Sequence, residues 1–210
     1  MSKIFKTSPL PFQGQKRNFI RHFKEALKKY PEDAIYIDLF GGSGLLSHTV
    51  KCENPLAKVI YNDYDNFKKR LKSIPITNRI LGEIRIIVDD LPRKKILPDA
   101  IKQQIIEIIA KEDEHNFVDY ITLSGSLLFS MNYVKDLESL KKQTFYNKVR
   151  KSDFDATDYL NGVDIVSTDY KKLFKKYENC KNVVFLVDPP YLSTDCTTYK
   201  NYWKLADYLD

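Results

Sequence analysis

Asp188, Pro189, Pro190 and Tyr191 follow directly on five consecutive apolar residues, 183–187, three of them valine. Such a run predicts a strand buried on both faces, as in parallel sheets covered by helices. Neither proline can donate to a sheet ladder, and Pro189 holds Asp188 extended. A carboxylate, a backbone carbonyl and an aromatic ring are therefore displayed at the carboxyl end of a strand, the edge where open α/β sheets bind ligands. Two acceptors suit a group that presents an NH2, and the ring suits stacking on a flat heterocycle. A flipped-out adenine or cytosine needs both.

A second group of residues could hold a nucleotide-like ligand. Residues 34–40 predict a strand that runs straight into Gly41, Gly42, Ser43 and Gly44, with a helix starting at Leu45. Glycines let a ligand approach the backbone, and a helix start offers free N–H groups. The spacing is not that of the dinucleotide fingerprint. A second strand, 57–61, ends at Asn62 and Asp63, about 20 residues after the glycine turn, where a carboxylate can hold a ribose diol. The competing role for an acid here is the N-cap of the helix containing Phe67 and Leu71. Both roles are filled if Asp63 serves the ribose and Asp65 the cap.

The remaining elements must carry these groups. Phe19, Ile20, Phe23 and Leu27 recur at helical spacing, and Pro31 ends that helix. A third strand spans 163–167, and a helix over 170–177 leads back to the strand before Asp188. Between them the pattern changes. Ile80, Ile84, Ile87 and Leu91 fit one helix face, and Ile101, Ile105, Ile108 and Ile109 another that opens at Pro98 and Asp99. Within this stretch Lys141, Lys142, Tyr146, Asn147, Lys148, Arg150 and Lys151 mix cations, an aromatic ring and an amide, as phosphate and base contacts require.

The chain has 210 residues and a formal net charge of +6. Before residue 31, Lys3, Lys6, Lys16, Arg17, Arg21, Lys24, Lys28 and Lys29 are opposed only by Glu25. A basic end beside a base-stacking site favours a nucleic-acid partner. No apolar run approaches the length of a membrane span, and the N-terminus has no signal-peptide pattern. Cys52, Cys180 and Cys196 make no metal spacing and no disulfide framework, which predicts a reducing cytoplasm and no bound metal.

In order, Phe12 to Lys16, Asp38 to Gly44, Asp63, a long insertion, and Asp188 to Tyr191 closely resemble the alpha-group N6-adenine DNA methyltransferases. The resemblance covers about residues 8–65 and 160–203. It implies a class I, Rossmann-like fold that binds S-adenosylmethionine and acts on double-stranded DNA. Carried over, Phe12 and Lys16 match the N-terminal cofactor loop. Asp38, Phe40, Gly41, Gly42 and Gly44 match the methionine-side corner, and Asp63 the ribose acid. Asp169 and Tyr170 would flank the cofactor adenine. Asp188, Pro189, Pro190 and Tyr191 match the catalytic tetrapeptide, with Asp188 also next to the cofactor. The implied organisation is a discontinuous catalytic domain, 1–70 and 156–210, around a target recognition domain, 71–155.

Two features depart from the family pattern. The insertion lacks the signatures of members that methylate GATC, and only Ser130-Met131-Asn132 and Phe145-Tyr146-Asn147 echo them, so the target sequence is open. Four strands are predicted where the class I sheet has three more, so a further segment or a second chain is expected to complete the sheet. Two other readings stay open: a DNA- or cofactor-binding remnant without turnover, and methylation of another nucleobase amine.

Overall fold

The computed structural model describes residues 3–14, 16–130 and 132–189. Pro190 and Tyr191 of the tetrapeptide, Met131, Cys196 and the helix that the spacing of Tyr202, Leu205, Ala206 and Leu209 suggests lie outside them. The chain divides into two compact units, one taking in residues up to Lys68 and those from Ala156 on, the other Lys69–Asp155.

The first unit is a mixed α/β structure on four parallel strands: β1 (Ile35–Asp38), β2 (Lys58–Asn62), β3 (Asp164–Val166) and β4 (Val183–Leu186), in the order β3-β2-β1-β4. Central β1 reads Ile-Tyr-Ile-Asp, and alternate side chains serve opposite faces. Tyr36 joins Phe23, Leu27, Val50 and Val59 on the face covered by helices α1 (Ile20–Leu27) and α2 (Leu45–Glu53). Ile37 joins Ile60 and Leu173 on the face covered by a later helix, Tyr170–Tyr177. Both faces of β1 are therefore apolar, and the sheet is sandwiched in the Rossmann-like manner. The buried Tyr36 hydroxyl is satisfied: Asn54 donates to it at 3.0 Å.

Two expectations change here. Phe19 is not part of the buried stripe; it precedes α1 and is 50% exposed. The strand before Asp188 is less enclosed than its composition suggests. Val183, Val184 and Phe185 are half-buried, and Val187, just beyond β4, is 62% exposed. β4 is an outer strand, so among the described residues only one of its two edges is paired.

The boundary between the units falls within α3 (Phe67–Lys72). The second unit is helical, with α4 (Ile74–Ile87), α5 (Asp99–Asp113), α6 (Tyr120–Leu127) and α7 (Leu137–Lys141). The isoleucine periodicity gives the buried faces of α4 and α5, through Ile80, Ile84, Ile105 and Ile109. Leu91 lies past the end of α4, and Ile108 is only half-buried. Helices α6 and α7 have no such stripe; each is started by an aspartate cap, Asp119 and Asp136. Asp119 also holds the buried Arg70 guanidinium at 3.0 Å. No described helix is long and apolar enough to cross a membrane.

Candidate active site

The carboxyl ends of β1, β2 and β4 and the start of α8 (Tyr170–Tyr177), the last helix among the described residues, bring together those predicted site residues of the first unit that are described. At the end of β1, Asp38 is 1% exposed. Its Oδ2 accepts a hydrogen bond from the Ser47 hydroxyl at 2.7 Å, and its Oδ1 has no partner among the described residues. Burial pushes its carboxyl up to about 7 against the pull of that hydrogen bond, and the negative charge of Asp188 adds to the rise. The Phe40 and Ser47 N–H groups also pull on this carboxylate, and its Oδ1 keeps acceptor capacity for a further donor.

The glycine turn follows. Gly42 and Gly44 have φ of 51° and 72°, and Gly44 precedes α2 with no side chain to cap the helix. The Ser47 N–H is turned to the Asp38 carboxylate, and the N–H groups before it are left to the turn and to whatever binds there. The ring of Phe12 closes the outside of the turn: a Cβ on Gly42 would lie 3.2 Å from it. Phe12 meets Phe67 edge-on at 5.5 Å. Tyr61 backs the turn, donating its hydroxyl to Gly42 O at 2.7 Å and approaching Asp63 Oδ1 at 3.1 Å.

Asp63 is itself the cap of α3: Phe67 N–H donates to Oδ1 at 2.6 Å and Lys68 N–H to Oδ2 at 2.9 Å. This corrects the expectation that Asp65 takes the cap. A carboxylate has about four acceptor positions, so a role toward a diol is compatible with the capping. Phe40 and Tyr170 lie ring to ring at 4.8 Å beside this edge. Asp169 is exposed and caps α8 by accepting from Lys172 N–H at 3.1 Å.

Asp188 stands two residues past β4, and Lys16 Nζ lies 3.0 Å from its Oδ1, with both side chains 23% exposed. Sequence reasoning placed each of these residues but not the pair they form.

It also missed three supports. Ser47 has no signal beyond its position on α2. Asn62 donates to Leu39 O and Thr168 O and accepts from Thr168 N–H, tying together the segments after β1 and β3; an amide at a strand tip was the only sign. His48 is buried, with Nδ1 2.6 Å from Tyr159 O and Nε2 accepting from Phe5 N–H at 3.0 Å. Those partners fix it as the neutral Nδ1–H tautomer. Tyr159 in turn donates to Ser43 O at 3.0 Å, inside the glycine turn.

In the second unit the basic-aromatic stretch splits into structural and exposed members. Asn147 is 1% exposed. Its amide donates to Val88 O and Leu91 O, and its oxygen accepts from Arg93, so it holds the segment after α4 and cannot read a base edge. That expectation is corrected. Lys148 donates to Leu128 O, Arg150 packs its guanidinium on Phe154 at 4.0 Å, and Lys141 pairs with Glu138. Lys142 and Lys151 are exposed, and half-buried Tyr146 lies 5.9 Å from the exposed ring of Phe129.

A family model described as D12 class N6 adenine-specific DNA methyltransferase matches residues 12–210. A curated protein of Haemophilus influenzae, named "Putative methyltransferase", is 40% identical over 215 residues, which span 99% of this chain and 72% of the relative.

Proposed function

This chain belongs to the D12 class N6 adenine-specific DNA methyltransferase family, and from that premise we propose that it transfers a methyl group from S-adenosylmethionine to the exocyclic amine of an adenine flipped out of a specific DNA sequence. The observation that carries the proposal is the convergence of Asp188, Lys16, Asp38 and the glycine turn on one sheet edge.

The edge fits the cofactor in kind. Asp38 has an unpartnered buried oxygen suited to an ammonium, and Lys16 supplies a cation for a carboxylate. The turn of Gly41, Gly42 and Gly44 offers its backbone to the ligand, while the space a Cβ would fill at each is taken by Tyr61, Phe12 and Leu160. Asp63 retains acceptor capacity for a ribose, and the Phe40–Tyr170 pair, with Asp169, borders the place for an adenine. When bound, S-adenosylmethionine supplies an electrophilic methyl group on a sulfonium.

The protein's own part is to hold and polarise the acceptor amine. An adenine amine is a weak nucleophile because its lone pair is delocalised into the ring. The Asp188 carboxylate and the Pro189 carbonyl accept its two hydrogens and stabilise the positive charge that develops on nitrogen as it is methylated. Tyr191, the last residue of the tetrapeptide, would stack on the base. Lys142 and Lys151 meet backbone phosphates, and Tyr146 is the remaining candidate for a base contact.

Along β4, the half-buried apolar strand and exposed Val187 support a further segment, from this polypeptide or a second chain, that extends the sheet.

The test is incubation with S-adenosylmethionine labelled in its methyl group and adenine-containing duplexes of mixed sequence. Label should appear as N6-methyladenine at one recurring sequence. Label on cytosine, or protein that binds duplex and cofactor without transfer, would overturn the proposal.

A further inference from the structure

At the carboxyl edge of β1 and β4 stand two carboxylates that feel each other's charge, and only one of them is paired with an ammonium. Lys16 Nζ sits 3.0 Å from Asp188 Oδ1, while Asp38 Oδ1, at the end of the neighbouring strand, has no partner among the described residues. The pairing favours the acid that the proposed reaction needs free. A carboxylate already neutralised by an ammonium is a weaker acceptor for an amine that turns cationic. The other acid, Asp38, remains without a cation and is held toward its neutral form chiefly by burial.

We propose that Lys16 is a positioning residue that changes partners: it holds Asp188 until the cofactor binds, then passes to the cofactor's methionine carboxylate, which frees Asp188 to engage adenine. The inference rests on the cofactor assignment of the preceding subsection. Its driving force is the charge complement of the ligand's amino-acid end. The ammonium of that end satisfies Asp38, and its carboxylate competes with Asp188 for Lys16. No proton or covalent bond is exchanged by Lys16; only its ion-pair partner changes. Base capture by Asp188 thereby follows cofactor binding, and an adenine that arrives first meets an acid that is already engaged.

Asp188 lies beside the cofactor corner, yet weakening its hold on Lys16 should improve binding of a ligand with a methionine end. Two probes separate the effects in calorimetry: S-adenosylhomocysteine, which keeps that end, and 5′-methylthioadenosine, which lacks it. Asp188→Asn, nearly isosteric, should bind S-adenosylhomocysteine about 2- to 5-fold more tightly, the scale of a partly exposed ion pair. Its affinity for 5′-methylthioadenosine should not change. Asp188→Ala should shift the same way, which guards against an effect of the asparagine amide. Lys16→Met should lose roughly 10- to 100-fold for S-adenosylhomocysteine alone, and Lys16→Arg should recover most of it. In the Lys16→Met background, Asp188→Asn should give no further tightening.

Unchanged or weaker binding of S-adenosylhomocysteine by Asp188→Asn, with both probes still binding, would overturn the exchange while leaving the cofactor assignment intact. Tightening that persists without Lys16 would also overturn it. Failure of every variant and the wild type to bind either probe would remove the cofactor assignment and this proposal together.

Discussion

The ring of Tyr61 occupies the space beside Gly41 so closely that a Cβ there would lie 2.1 Å from two ring carbons. The glycine is needed for what stands behind the turn, as well as for what could approach in front of it. Gly41→Ala should therefore cost about 1–3 kcal/mol of stability, the scale of overpacking. A Gly41→Ala, Tyr61→Leu double variant should recover part of it. Urea denaturation checks both; equal stability of Gly41→Ala and wild type would contradict the clash.

Tyr61→Phe keeps that packing and removes the hydroxyl that ties Gly42 O to the vicinity of Asp63. It should lower stability by about 1 kcal/mol, the net value of a buried hydrogen bond. Calorimetry should also show weaker S-adenosylhomocysteine binding, because the turn loses its backing. An unaltered affinity would mean that the turn is held without Tyr61.

Asp38 gives a pH dependence of known sign. Its carboxyl is raised from 3.8 to about 7, chiefly by burial, so the folded protein binds more protons than the unfolded chain between those values. Stability attributable to this group is complete below about pH 4 and is lost as the pH rises through 7, a change on the order of 2–4 kcal/mol. His48, pushed down by burial, acts in the opposite sense, with stability lost as the pH falls through its folded pKa. Denaturation of wild type and Asp38→Asn at several pH values isolates the Asp38 contribution. The asparagine variant should be the more stable of the two at pH 8 and lose that advantage by pH 5.

Asp188→Ala should abolish methyl transfer while S-adenosylhomocysteine still binds, since the acceptor role strengthens only as the amine becomes cationic. For Tyr191, alanine should be far worse than phenylalanine, because stacking on a ring contributes roughly 1–3 kcal/mol per base. Single-turnover rates on a methylatable duplex measure both. Equal losses for the two Tyr191 variants would assign the work to the hydroxyl.

Lys142→Ala and Lys151→Ala should each weaken binding to all duplexes alike and reduce the salt slope by about one unit. Asn147→Ala should behave differently. Its buried amide satisfies Val88 O and Leu91 O, so about 1–3 kcal/mol of folding stability is lost and sequence preference stays as it was. A changed sequence preference in a normally stable Asn147→Ala protein would restore it as a base reader.

The sheet was legible because its strands carry β-branched residues and three of them run into hard stops: Gly41-Gly42 after β1, Asp63 after β2, Asp188-Pro189 after β4. Composition marks such elements without help from the rest of the chain. What composition does not mark is which partner a polar group finds. Asp63 and Asp65 are two residues apart with the same chemistry, and only the placement of α3 gives the cap to Asp63. Asn147 sits among cations and aromatics, so it looked like a contact residue; its burial depends on Val88 and Leu91, some 56–59 residues away. Helix α6 was missed because its serines, threonine and glycine give little helical signal, and α7 because five residues are too few to show a period; their aspartate caps supply local rather than periodic information.

The order of the strands bears on how the chain is made. β1 is complete once Asp38 emerges, but its outer neighbour begins about 150 residues later, at Val183. His48 likewise waits for Tyr159. At ribosomal speeds that gap lasts on the order of 10 s, far longer than a short helix needs to form. The contiguous helical unit, Lys69–Asp155, is fully synthesised within that interval. The first half of the sheet must therefore outlast a long delay with an open apolar edge beside Tyr36 and Ile37. Slow translation or a holding chaperone acting between residues 60 and 180 should govern the yield of native protein more than any change to the strands themselves.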